Sequence, residues 1–184
     1  MKEIEVKILE IKKQKVEEAL LKMCARKTFD GEMETFFYDF RDGAIIKAKN
    51  VLRLRREDDK VVLTYKNVAG TKKAKIAQEY SVDVSNLAVM QKILESLGFV
   101  LIESMAKHRT SYELEGTHFD IDRYHGRYSY IPEFMEVEAG SIMLIHKYAK
   151  SLGFEPQDCL PWSTAQVIEY YSKNKKRGLK PLLS

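Results

Sequence analysis

Cysteine is scarce: the 184-residue chain carries only two, Cys24 and Cys159. Neither has a partner at metal-ligand spacing. A disulfide-stapled secreted framework is therefore excluded, and a reduced, cytoplasmic setting is expected. Long apolar runs are missing too. None approaches the ~20 residues that span a bilayer, so no membrane association is expected. The chain opens directly on alternating charge, which predicts no signal peptide. A charge excess of one sign is also absent: 31 basic residues face 27 acidic ones, leaving +4. A nucleic-acid binder usually shows a concentrated basic stripe, so nucleic acid is not an expected partner. The four histidines, His108, His118, His125 and His146, share no ligand spacing.

What is present is a core and a pattern. Hydrophobic residues make up 45% of the chain, enough for a real interior. The length fits one domain, read as residues 1–172, and a basic tail over 173–184 carries Lys173, Lys175, Lys176, Arg177 and Lys180. Residues 2–10 alternate as a strand, with Ile4, Val6 and Ile8 on one face and Glu3, Glu5 and Lys7 on the other. A helix is expected over 12–25, with Val16, Leu20 and Met23 inward. Strands are expected near 26–39, 50–57, 60–67 and 75–84, with a loop at Gly70. Ser85 is a candidate N-cap for a helix ending at Leu97-Gly98. Further strands are expected at 99–104, 106–115, 117–124 and 133–139, with Glu115-Gly116 as a turn. Ser141 and Ser163 are candidate caps of two final helices, with Trp162 as a staple before the second.

The charges on these strands recur at i and i+2 and are sorted by sign. Arg53 with Arg55, and Lys107 with Arg109, form basic pairs; Glu3 with Glu5, and Glu136 with Glu138, form acidic pairs. Lys66 ends another strand, and Asp120 and Asp122 flank Ile121. Two arrangements fit: an exposed sheet face with mixed charge, or a closed barrel with a polar lumen. A solvated face has no reason to sort its charges by sign. A polyphosphate site does. Arginine gives planar bidentate donation to phosphate oxygens, and lysine gives a compact positive charge. Carboxylates beside them are useful when a divalent cation bridges protein and phosphate, and Mg2+ or Mn2+ prefers oxygen donors.

The order of these strands resembles the CYTH superfamily, the triphosphate tunnel metalloenzymes. The opening E-x-E-x-K at Glu3, Glu5 and Lys7 is similar to the family signature. So are FFYDF at 36–40, VLRLRRE at 51–57, VVLTYK at 61–66, KHRTSY at 107–112, FDIDRY at 119–124 and EFMEVEAG at 133–140. The resemblance implies an α+β fold: an eight-stranded antiparallel β-barrel tunnel with helices packed outside. It implies Glu3, Glu5 and Glu138 as metal ligands, with Glu136 supporting them or sharing a second metal. It implies Lys7, Arg53, Arg55, Lys66, Lys107 and Arg109 as phosphate ligands, and Glu79 and Asp122 as groups that orient cations or water. It implies catalytic roles for Glu5, Lys7 and Glu136. Ala77 and Ser81 depart from the arginine and acid that many members carry there.

The implied activities share a triphosphate substrate and Mg2+ or Mn2+. A hydrolase would direct water at the terminal phosphorus; a class IV adenylyl cyclase would direct a ribose hydroxyl at the α-phosphorus; a non-catalytic binder would only capture polyphosphate. The hydrolase ranks first. A monomer or a homodimer joined through helices is compatible with a closed sheet.

Overall fold

The structure is a computed structural model that describes residues 4–71 and 74–177, with the side chains of 68–77 and 174–177 left aside. Eight strands form one antiparallel ladder in the order β1-β8-β7-β6-β2-β3-β4-β5. They are β1 (Ile4–Ile8), β2 (Arg26–Phe40), β3 (Val51–Glu57), β4 (Lys60–Thr71), β5 (Ala74–Val84), β6 (Phe99–Leu114), β7 (Thr117–Tyr124) and β8 (Phe134–Ala139). Among the described residues, five α-helices accompany them: α1 (Lys13–Lys22), α2 (Ala44–Lys47), α3 (Leu87–Ser96), α4 (Ile142–Ser151) and α5 (Thr164–Arg177). The expected eight-stranded antiparallel α+β architecture is present. Strands β1 and β5 stand at the two ends of that order.

The chain forms two compact units. The first comprises the described parts of Glu3–Asp30 and His108–Ser184. Its core takes the apolar faces of β1, β7 and β8 (Val6, Ile8, Phe119, Ile121, Met135, Val137) and packs them on Val16 and Leu20 of α1 and Ile145 of α4. Removing this apolar area from water is the main stabilising term, roughly 1.5–3 kcal/mol per fully buried large side chain. The second unit is Gly31–Lys107. Its core joins Tyr38, Leu52, Leu54 and Val61 to Leu94 of α3.

Several boundaries differ from the expected ones. Gly70 does not open a loop; it lies in β4, opposite Lys75 of β5. The two strands expected over 99–115 are one 16-residue strand, β6. The α3 cap is Asn86, whose side chain accepts the Val89 N–H at 3.0 Å, rather than Ser85. Helix α2 was not foreseen. The buried carboxylate of Asp39 organises it by accepting the backbone N–H groups of Phe40, Ile45 and Ile46. Burial alone would raise the Asp39 pKa, but these three donors hold it below the usual carboxylate range. Ser141 caps α4 as expected, accepting the Leu144 N–H at 3.3 Å. Trp162 lies against Tyr170 of α5 with ring centroids 5.3 Å apart.

Candidate functional site

In the first unit, alternation sends Glu5 and Lys7 to the face opposite the core residues Val6 and Ile8. Strand pairing then decides what they meet. Lys7 lies directly opposite Glu136, and Glu5 opposite Glu138. On the other side of β8, Glu136 lies opposite Asp120, and Glu138 opposite His118. The turn Glu115-Gly116 sets the β6–β7 register. Both residues have positive φ, 49° and 73°, the geometry a two-residue hairpin loop requires. This turn brings Arg109 within reach of Asp122.

Two cations are buried in this face, and carboxylates surround both. The Lys7 side chain is 1% exposed; its ammonium lies 2.7 Å from Glu136 Oε1 and pairs closely with Glu5. Burial works against the charged form, yet Glu136 and Glu5 outweigh it and hold Lys7 protonated well above the usual lysine range. Arg109 makes four hydrogen bonds to three carboxylates. Nε and Nη2 donate to the two oxygens of Asp122, each at 2.6 Å, and Nη2 donates to Glu136 Oε2 at 2.6 Å. Nη1 donates to Asp120. Here too burial opposes the charge and the carboxylates, led by Asp122, prevail. Glu136 therefore bridges both cations, one through each oxygen. The Tyr124 hydroxyl is pushed up by burial and by the nearby Asp122 and Glu136 carboxylates.

The second unit presents a different face. Arg53 and Arg55 alternate with the core residues Leu52 and Leu54. Their cross-strand neighbours are neutral: Phe37 and Thr64 beside Arg53, Thr35 and Val62 beside Arg55. Arg55 reaches Glu57 along its own strand at 2.7 Å, but its Nε is buried with no acceptor among the described residues. Lys66 lies opposite Glu79 and pairs with it, and Arg53 approaches the same carboxylate at 3.8 Å. Ser81 contacts Thr64 at 3.1 Å across the ladder. Lys107 is partly buried on β6.

The structure thus brings together Glu5, Lys7, Arg109, Asp122 and Glu136, with Glu138 opposite Glu5, in one unit. It brings together Arg53, Lys66 and Glu79, with Arg55 nearby on β3, in the other. Glu3, the Ala77 side chain, the side chains of Lys175, Lys176 and Arg177, and Lys180 lie outside the described residues. Two site neighbours had no assigned role: Asp120, which contacts Arg109, and His118, opposite Glu138. Their i, i+2 spacing with Asp122 on β7 was the available signal. His108 meets Asp30 at 3.3 Å, away from the carboxylates that hold Arg109.

Among the described residues, no three His, Cys, Asp or Glu side chains already converge as a metal cluster. The donor set nonetheless fits a hard divalent cation. Five carboxylates (Glu5, Asp120, Asp122, Glu136 and Glu138) lie on the face of β1, β7 and β8 opposite the apolar core. All are oxygen donors of the kind a hard divalent cation prefers. The orphaned Nε of Arg55 fits an anionic oxygen for the complementary reason.

The CYTH domain family model matches residues 1–156. The chain belongs to the CYTH family. A curated CYTH relative, "Putative adenylate cyclase MJ0240" of Methanocaldococcus jannaschii, is 28% identical over 138 residues, covering 75% of this chain and 77% of its own. Among solved structures, the PH1012 protein of Pyrococcus horikoshii OT3 superposes with a TM-score of 0.73 at 20% identity, covering 90% of this chain and 98% of that one. The Hippeastrum protein HpAC1, described as a putative adenylyl cyclase with a dominant triphosphatase activity, superposes with a TM-score of 0.64 at 15% identity, covering 91% and 95%. Among the described residues, no helix is long and apolar enough to cross a membrane.

Proposed function

We propose that this CYTH domain is a divalent-metal-dependent triphosphatase that hydrolyses inorganic or organic triphosphates with Mg2+ or Mn2+. The reading is supported by the family match and by the buried Nε of Arg55, a guanidinium donor with no acceptor among the described residues. When bound, a divalent cation neutralises phosphate charge and makes water a better nucleophile. Glu5 and Glu138, with Glu3, hold that cation. Lys7 meets a phosphate oxygen while Glu136 keeps its ammonium in place. Arg53, Arg55, Lys66, Lys107 and Arg109 take the remaining phosphate charge and stabilise what develops on the equatorial oxygens. Glu79 steers Lys66 and Arg53, and Asp122 steers Arg109.

A class IV adenylyl cyclase is the second reading, favoured by the name of the Methanocaldococcus relative. It uses the same clamp with a ribose 3′-hydroxyl as nucleophile. The test is product identification after incubation with tripolyphosphate, ATP and thiamine triphosphate, each with Mg2+ or Mn2+. Metal-dependent orthophosphate release is the expected result. Cyclic AMP and pyrophosphate from ATP would replace the hydrolase by the cyclase. Binding without any product would leave a polyphosphate-binding module.

A further inference from the structure

We propose that Asp120 is an exchangeable counter-anion that competes with substrate phosphate for the Nη1 edge of Arg109, and so sets how tightly the protein holds a triphosphate. The proposal rests on the phosphate-binding reading above.

A guanidinium offers five N–H donors in a fixed planar fork. Carboxylates take four of them at Arg109, and the three acids do not hold it alike. Asp122 grips the Nε/Nη2 edge with both oxygens at 2.6 Å and is fully buried. Releasing it would strand a carboxylate away from water, which is strongly unfavourable. Glu136 is tied to Lys7 through its other oxygen, so it cannot leave without breaking a second ion pair. Asp120 differs on both counts. It pairs with Arg109 through Nη1, and its side chain is 24% exposed. It can turn to water at the small cost of a part-exposed ion pair.

Register gives Asp120 a reason to leave. It lies directly opposite Glu136, and like charges on facing positions repel. Arg109 offsets that repulsion while Asp120 holds Nη1. A phosphate oxygen arriving there makes the same charge-assisted bond and lets Asp120 withdraw. The two edges of Arg109 thus divide into an anchored one, held by Asp122, and an exchangeable one, held by Asp120.

The test is calorimetric titration of metal-free protein with tripolyphosphate. Asp120→Asn and Asp120→Ser are compared with wild type, with Glu113→Gln, a part-exposed carboxylate on β6 paired with Arg26, as a same-charge control. Both Asp120 variants are expected to bind about 3–10-fold tighter, with no such gain in Glu113→Gln. The gain is expected to vanish when Arg109→Lys removes the fork. A purely structural Asp120 would weaken binding or leave it unchanged. Either result, an equal gain in Glu113→Gln, or a gain that persists with Arg109→Lys, overturns the proposal while leaving the triphosphatase reading intact. Absence of tripolyphosphate binding in wild type and all variants, both metal-free and with Mg2+, overturns both. Asparagine is nearly isosteric with aspartate, so Asp120→Asn carries the test if the serine variant fails to fold.

Discussion

Lys7 and Arg55 are both cations on sheet faces, yet their surroundings are opposite. Lys7 is enclosed and lies across from Glu136, which it meets at 2.7 Å. Arg55 lies across from Thr35 and Val62, and part of its guanidinium is buried without an acceptor among the described residues. Carboxylates ring the Lys7 ammonium, whereas Arg55 keeps a buried N–H that no described residue accepts. The first condition suits an added cation and the second an added anion. Charge composition alone does not distinguish them, because the chain as a whole is nearly balanced. The difference lies in which charges pairing places face to face.

Three substitutions, with Glu79→Gln as a comparison for the second, would break or sharpen this contrast. The largest effect is expected from Glu5→Gln, which removes a proposed metal ligand and a Lys7 partner together. Mn2+ affinity, read by calorimetry, should fall on the order of 100-fold, and metal-dependent turnover with it. Undiminished Mn2+ affinity would remove Glu5 from the metal site.

Asp122→Asn comes next. It leaves the buried Arg109 short of its anchoring charge, so denaturant unfolding should show a loss of about 3 kcal/mol. The corresponding amide change at the more exposed Glu79 should cost less than about 1 kcal/mol. Equal losses would erase the distinction between an internal ion network and a solvent-facing one.

Smallest is Arg55→Met. Removing a charge-assisted donor should raise KM for tripolyphosphate about 10-fold with Mn2+ affinity unchanged. A loss of metal affinity instead would mean that the two faces do not divide the labour.

Much of this is legible in the sequence. Alternation assigns faces on β1, β3 and β8 because a strand's period is two, and the buried sets Val6 with Ile8, Leu52 with Leu54, and Met135 with Val137 follow it. Partnership is not legible. That Glu136 serves Lys7 and Arg109 at once depends on strands brought together from distant parts of the chain. Asp120 reads as a spare acid beside Asp122 until pairing sets it against Glu136. Helix α2 escapes for a related reason. Four residues carry too little periodicity to read, and its organising carboxylate, Asp39, sits in the preceding strand. At Gly70 and in the middle of β6, local composition suggests interruptions that ladder pairing overrides.

The tip of the β6–β7 hairpin has an evolutionary consequence. Exposed loop tips are ordinarily where chains gain or lose residues most freely. At Glu115-Gly116, a single inserted residue that slipped the register would turn Asp120 and Asp122 away from Arg109 and present Phe119 and Ile121 in their place. Variation in length is therefore better tolerated elsewhere, and this short surface turn is bound as tightly as the interior.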